Sequence, residues 1–139
     1  MTRRLDSRSA PVTGRLAPVA AGHSIVSGVR LAVDRLGSHR LFTTNLVLGE
    51  TWTLLRLRRT SHARALALVD AVRASPRVEV AGVSAPDEAR AWAWLRDHDE
   101  RVYSFVDATS FVIMQRRRLH EALAFNGDFA AAGFAEVRP

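Results

Sequence analysis

The stretch Ser104-Phe105-Val106-Asp107-Ala108-Thr109-Ser110-Phe111 places a carboxylate where a hydrophobic segment passes into a helix. Aspartate at an N-cap, with Ser110 three residues on, is ordinary helix-start chemistry, and a helix is expected from Asp107 to about Arg118. A second stretch, Ala124-Phe125-Asn126-Gly127-Asp128-Phe129 running to Gly133-Phe134, repeats the arrangement with Asp128 as the cap of a brief helix.

Outward from these two stretches the pattern alternates. Arg40 to Thr44 reads as a short strand, and Asn45 as the N-cap of a helix from Leu46 to about Arg58. Residues 61–74 form a second helix, stopped by Ser75-Pro76, and Val78 to Val83 reads as a strand. Pro86 opens a helix through His98, with Asp87 and Glu88 favourably placed in its first turn. Glu121 to Phe125 is a short strand and Ala135 to Val137 a last one. Strands alternating with helices imply an α/β fold with a mostly parallel sheet, whose ligands gather at the carboxyl ends of the strands. The first 36 residues are irregular, because Pro11, Gly14, Pro18, Gly22 and Gly28 interrupt any period. Within them Ile25 to Leu36 has helical spacing, followed by Gly37 as a C-cap. With no internal repeat and no linker, residues 1–139 are expected to form a single domain, with 1–36 partly disordered or diverged.

Composition narrows the function classes. The chain has 139 residues, 47% of them hydrophobic, enough for a core. It has no cysteine, which excludes disulfides and thiolate metal sites and suits a reducing compartment. No apolar run approaches the roughly 20 residues of a membrane helix, and no apolar segment follows Arg3-Arg4 as a secretory signal would require. All 20 basic residues are arginine and the net charge is +6. Residues 1–45 hold seven arginines against two acids, and residues 46–139 hold thirteen against twelve. The basic amino-terminal arm is therefore either a solvated tail or a nucleic-acid contact.

Glu50 is the first candidate for chemistry. On the helix after Asn45, the stripe Leu46, Val47, Glu50, Leu54 and Leu57 is apolar except for this one carboxylate, which then needs a cation or hydrogen bonds. Either an arginine pairs with it or it belongs to a site. Asp107 and Asp128, read locally, are helix caps. Topology brings all three to one edge of a parallel sheet, where clustered carboxylates raise each other's pKa or bind a cation. Oxygen ligands without sulfur suit Mg²⁺ or Mn²⁺, ions that bind phosphate and activate water. The five histidines have no ligand spacing and read as surface residues. Trp52, Trp92 and Trp94 read as core or interface, and Arg116-Arg117-Arg118 as cations offsetting a helix dipole. Nucleotide-binding and hydrolase-elbow motifs are absent.

Three segments in this order resemble the PIN-domain family, and more closely its VapC-type toxin ribonucleases. They are Thr43-Thr44-Asn45-Leu46-Val47-Leu48-Gly49-Glu50-Thr51, Tyr103 to Phe111, and Ala122 to Phe129 with Ala132-Gly133-Phe134; the match spans about His39 to Val137. The resemblance implies a compact three-layer α/β/α domain and a Mg²⁺- or Mn²⁺-dependent endoribonuclease with four clustered acids. Glu50 and Asp107 correspond to two of them. Where the fourth follows an Ala-Phe pair this chain has Asn126, with Asp128 the nearest carboxylate. For the first acid, Asp6 has about the right separation from Glu50, but Met1 to Leu5 is not a buried strand. Metal ligands are then expected among Asp6, Glu50, Asp107, Asn126 and Asp128, with Glu50, Asp107 and Asp128 catalytic. Thr109, Ser110 and Asn45 would position substrate. The resemblance also implies a VapB-type antitoxin, an RNA substrate, a toxin homodimer and a cytoplasmic location. The alternative is a catalytically weakened PIN domain that binds antitoxin or RNA, since exchanging a carboxylate for Asn126 lowers affinity for a hard cation. A third possibility is a basic binding module that makes contact through its amino-terminal arm.

Overall fold

The structure, a computed structural model, describes residues 10–11, 39–124 and 127–137. Among these residues five short strands and five helices follow one another: β1 (Ala10–Pro11), β2 (Leu41–Thr44), α1 (Asn45–Leu57), α2 (His62–Ala74), β3 (Val78–Ala81), α3 (Ala85–Asp97), α4 (Phe105–Arg117), β4 (Glu121–Leu123), α5 (Asp128–Ala131) and β5 (Ala135–Val137). Every strand pairing is parallel. β2 lies between β1 and β3, with Leu41 opposite both Ala10 and Val78. β4 pairs with β5, and β1 runs close beside β4. The two small sheets thus meet at β1, and helices cover them to give a three-layer α/β/α arrangement. Of the two described residues of β1, only Ala10 has an N–H to donate, since Pro11 has none.

α4 is the centre of the molecule. Its residues Asp107 through Met114 are all buried, so every face of those two turns meets protein. One side joins Phe42, Ala91, Ala108, Val112 and Ile113 with Trp94, Leu95 and Phe105 around them. The other joins Phe111, Met114, Ala122, Ala124 and Phe129, where Phe111 stands edge-on to Phe129 at 4.8 Å. Tight aromatic packing of this kind adds to area burial.

The elements fall where alternation placed them, with differences at their ends. The N-cap of α1 is Thr44, whose Oγ1 accepts from the Val47 N–H at 3.2 Å; Asn45 is already helical. α4 begins earlier than expected, because Ser104 rather than Asp107 is its N-cap. The stripe read on α1 is out of phase. Val47 and Leu55 are its buried residues, Glu50 and Leu54 are half-buried, and Leu57 is 76% exposed. Glu50 therefore stands beside the core-facing ridge and not on it. The helix expected over Ile25 to Leu36 with its Gly37 cap lies outside the described residues.

Candidate active site

Asp107 is fixed by the first turn of its own helix. Its Oδ2 accepts from the Ser104 N–H at 2.9 Å, and the Ser104 Oγ accepts from the Asp107 N–H at 3.0 Å. This reciprocal capping box satisfies two amide donors that a helix start leaves unpaired. It also holds a carboxylate that is only 3% exposed in one orientation, close to the positive end of the α4 dipole.

Asp128 opens α5 after Gly127, which takes a left-handed conformation (φ 79°). Its side chain does not cap α5. Instead Oδ1 accepts from Arg101 Nε at 3.0 Å and from Nη2 at 2.9 Å. A carboxylate 5% exposed is thereby matched to a guanidinium on a distant segment.

Glu50 lies half-buried on α1, one and a half turns from its start. Asn45 sits at the carboxyl end of β2, where its Oδ1 accepts from the Val83 N–H at 3.0 Å. That bond ties the segment after β2 to the segment after β3, so this amide oxygen is engaged in holding the sheet edge. Thr109 and Ser110, expected to position substrate, are buried, and their hydroxyls both donate to the Val106 carbonyl at 2.8 and 2.9 Å. Asp6 and Asn126 lie outside the described residues. In chain order Asp6 precedes β1, whereas a strand delivers site residues from its carboxyl end.

Among the described residues, no three His, Asp or Glu side chains stand close enough together to hold a metal ion. Glu50, Asp107 and Asp128 thus do not by themselves make the three-carboxylate cluster that their topology suggested. Asp107 and Asp128 are held by hydrogen bonds of their own, which is a sufficient reason for their burial. A groove of about 630 Å³ lies between α1, α2 and β3, lined by Asn45, Leu48, Trp52, Leu66 and Val69.

Two pairings were not anticipated. Asp87, expected to complement the α3 dipole, is buried and accepts from Arg116 Nε at 3.2 Å and Nη2 at 2.9 Å. Burial alone would raise its pKa. Hydrogen bonds from Arg116 and Ser84 and attraction to Arg116 and Arg90 outweigh that and hold it below the ordinary carboxylate value. Arg117 reaches Glu79 at 2.8 Å and lies 4.1 Å over the Phe42 ring. The basic run at the end of α4 is thus largely consumed by tertiary contacts. The histidines are also more engaged than expected: His98 is half-buried and stacks on Trp94 at 3.8 Å.

Known proteins give the site a context. Residues 21–135 match the PIN domain family. The 23S rRNA-specific endonuclease VapC20 of Mycobacterium tuberculosis, from strains CDC 1551 / Oshkosh and ATCC 25618 / H37Rv, is 57% identical over 99 residues. That alignment covers 71% of this chain and 74% of the relative. The crystal structure of Mycobacterium tuberculosis VapC20, described as a Sarcin-Ricin loop cleaving toxin, superposes with a TM-score of 0.74 at 47% identity. It covers 86% of this chain and 89% of that one.

Proposed function

Because the chain belongs to the PIN domain family and is a VapC-type toxin nuclease within it, we propose that it cleaves 23S rRNA, within a stem-loop like the Sarcin-Ricin loop. The 57% identity to a 23S rRNA-specific endonuclease is the observation that carries this reading. The substrate bond is an RNA phosphodiester, and the partners that follow are a VapB-type antitoxin and a second copy of the chain, in the cytoplasm. None of the described helices is long and apolar enough to cross a membrane.

A divalent cation, Mg²⁺ or Mn²⁺, belongs to the proposal because VapC-type nucleases of this family are generally metal-dependent. When bound, such an ion supplies charge neutralisation at phosphate and an activated water. The described residues alone do not complete a site for it, so no step is routed through the ion. Glu50 and Asp107 are the carboxylates we assign to the reaction. Asp107 is the better defined: the capping box presents a buried carboxylate in a fixed pose, which costs little reorganisation when charge develops nearby. We assign Asp128 a positioning role through Arg101, and leave Asp6, Asn126, Thr109, Ser110 and Asn45 without a chemical step.

The test is to incubate the purified protein with 23S rRNA in Mg²⁺, in Mn²⁺ and in chelator, and map the ends by primer extension. A single cleavage lost in chelator is expected. Absence of cleavage, with antitoxin or RNA still bound, would favour the alternative of a weakened PIN domain. That alternative draws on the diversion of Asp128 to Arg101 and on asparagine at position 126.

A further inference from the structure

We propose that the hairpin tip joining α1 to α2, with Arg56, Arg58, Arg59 and Arg64, is a docking surface for the phosphate backbone of the RNA. The inference rests on the ribonuclease reading and adds where the substrate is held. Residues 51–69 contain these four arginines and no acid. The rest of residues 46–139 holds nine arginines against twelve acids, a net of −3. The tip is therefore the positive pole of a body that is otherwise acidic.

Arg90, Arg101, Arg116 and Arg117 all make ion pairs with carboxylates. Arg56, Arg58, Arg59 and Arg64 are exposed and, among the described residues, make none. Arg40, Arg73, Arg96 and Arg118 are likewise exposed and make no ion pair with a described residue, so what sets the tip apart is four arginines gathered in a stretch with no acid. Leu57, between Arg56 and Arg58, is 76% exposed, so the tip is not turned toward a core. Charges left unpaired and close together repel one another, and a polyanion relieves that repulsion.

Hydrogen bonds also close the tip. The Arg58 N–H donates to the Leu54 carbonyl, the Arg59 N–H to Arg56 and the Thr60 N–H to Leu55, each at 3.0 Å. Arg56 Nη1 donates to the Thr60 carbonyl at 2.8 Å, and the His62 ring stands edge-on to Trp52 at 5.6 Å. Arg59 closes the turn with φ 60°, a left-handed conformation that costs a side-chain-bearing residue roughly 1–2 kcal/mol and glycine almost nothing. Arg58 lies eight residues beyond Glu50, about 12 Å along the helix direction at 1.5 Å per residue. A strand passing Glu50 can reach it.

The test compares the wild type with Arg58→Gln/Arg59→Gly/Arg64→Gln, in binding and cleavage of a fluorescein-labelled RNA stem-loop across a salt series. Each lost phosphate contact removes about 0.7–0.9 from the slope of log K against log salt. The triple variant should lose roughly two units of slope and bind the stem-loop more weakly. Its melting temperature should equal or exceed that of the wild type, because Arg59→Gly removes the left-handed strain. Unchanged slope and affinity in a wild type that cleaves would overturn the docking inference alone. A wild type that neither binds nor cleaves RNA would overturn the ribonuclease reading together with it.

Discussion

Arg101 donates from two nitrogens to a single oxygen of Asp128, joining positions 27 residues apart. Asp128 is thereby held at the start of α5, and Arg101 reaches across the turn at Gly127, whose added Cβ would come within 3.8 Å of Arg101 Nη2. Arg101→Gln leaves a buried carboxylate short of its partner. It should cost about 1–3 kcal/mol, toward the lower end because the guanidinium is partly exposed. Asp128→Asn should cost a similar amount, and the double variant less than the sum. Urea denaturation checks this. Full stability in Asp128→Asn would return Asp128 to the list of chemical candidates.

The Asp87–Arg116 pair predicts a pH signature. The folded carboxyl of Asp87 lies below its unfolded value, so its contribution is present above that unfolded value, about 3.9. It is lost as pH falls through the lower folded one. In Arg116→Gln the raising effect of burial is no longer outweighed by its main partner. The pKa should then rise, and the contribution of Asp87 should diminish as pH increases through it. The destabilisation caused by Arg116→Gln should therefore be larger at pH 7 than at pH 3. A pH-independent difference between the two urea midpoints would exclude this role.

The sequence resemblance sets Asn126 at the position of a family acid, and we propose it as a metal ligand. On that reading Asn126→Asp should raise both Mn²⁺ affinity, measured by calorimetry, and the single-turnover cleavage rate. No change in either, in a folded variant, would show that the site does not depend on a carboxylate at this position.

Ser104→Ala removes one half of the capping box and should cost about 1 kcal/mol. The Asp107 carboxylate then loses the backbone geometry that Ser104 enforces, so cleavage should fall along with the melting temperature. Ser104→Thr, which can cap in the same way, should restore both.

Much of this was legible in the sequence, for identifiable reasons. The alternation of strands and helices from Leu41 to Val137 is local, and turn and cap residues mark it. Ser104, three residues before Asp107, was a readable capping-box signal that marked the true start of α4. The phase of α1 was harder. Its core-facing side includes Thr51, which buries its hydroxyl by donating to the Val47 carbonyl at 2.8 Å. A stripe through Leu57 looks more apolar, yet it runs past the edge of the core. The pairs Arg101–Asp128 and Asp87–Arg116 join positions 27 and 29 residues apart, and no periodicity reports such contacts. They hold Asp87 and Asp128 in tertiary ion pairs, and Glu50 and Asp107 are the carboxylates we propose for the chemistry.

The most direct measurement is single-turnover cleavage of 23S rRNA by Asp107→Asn beside the wild type, with both melting temperatures recorded. Asparagine keeps the shape of the capping box and removes the charge. The account predicts a rate at least about 100-fold lower with a melting temperature changed by only a few degrees. Undiminished cleavage by a folded Asp107→Asn protein would contradict it.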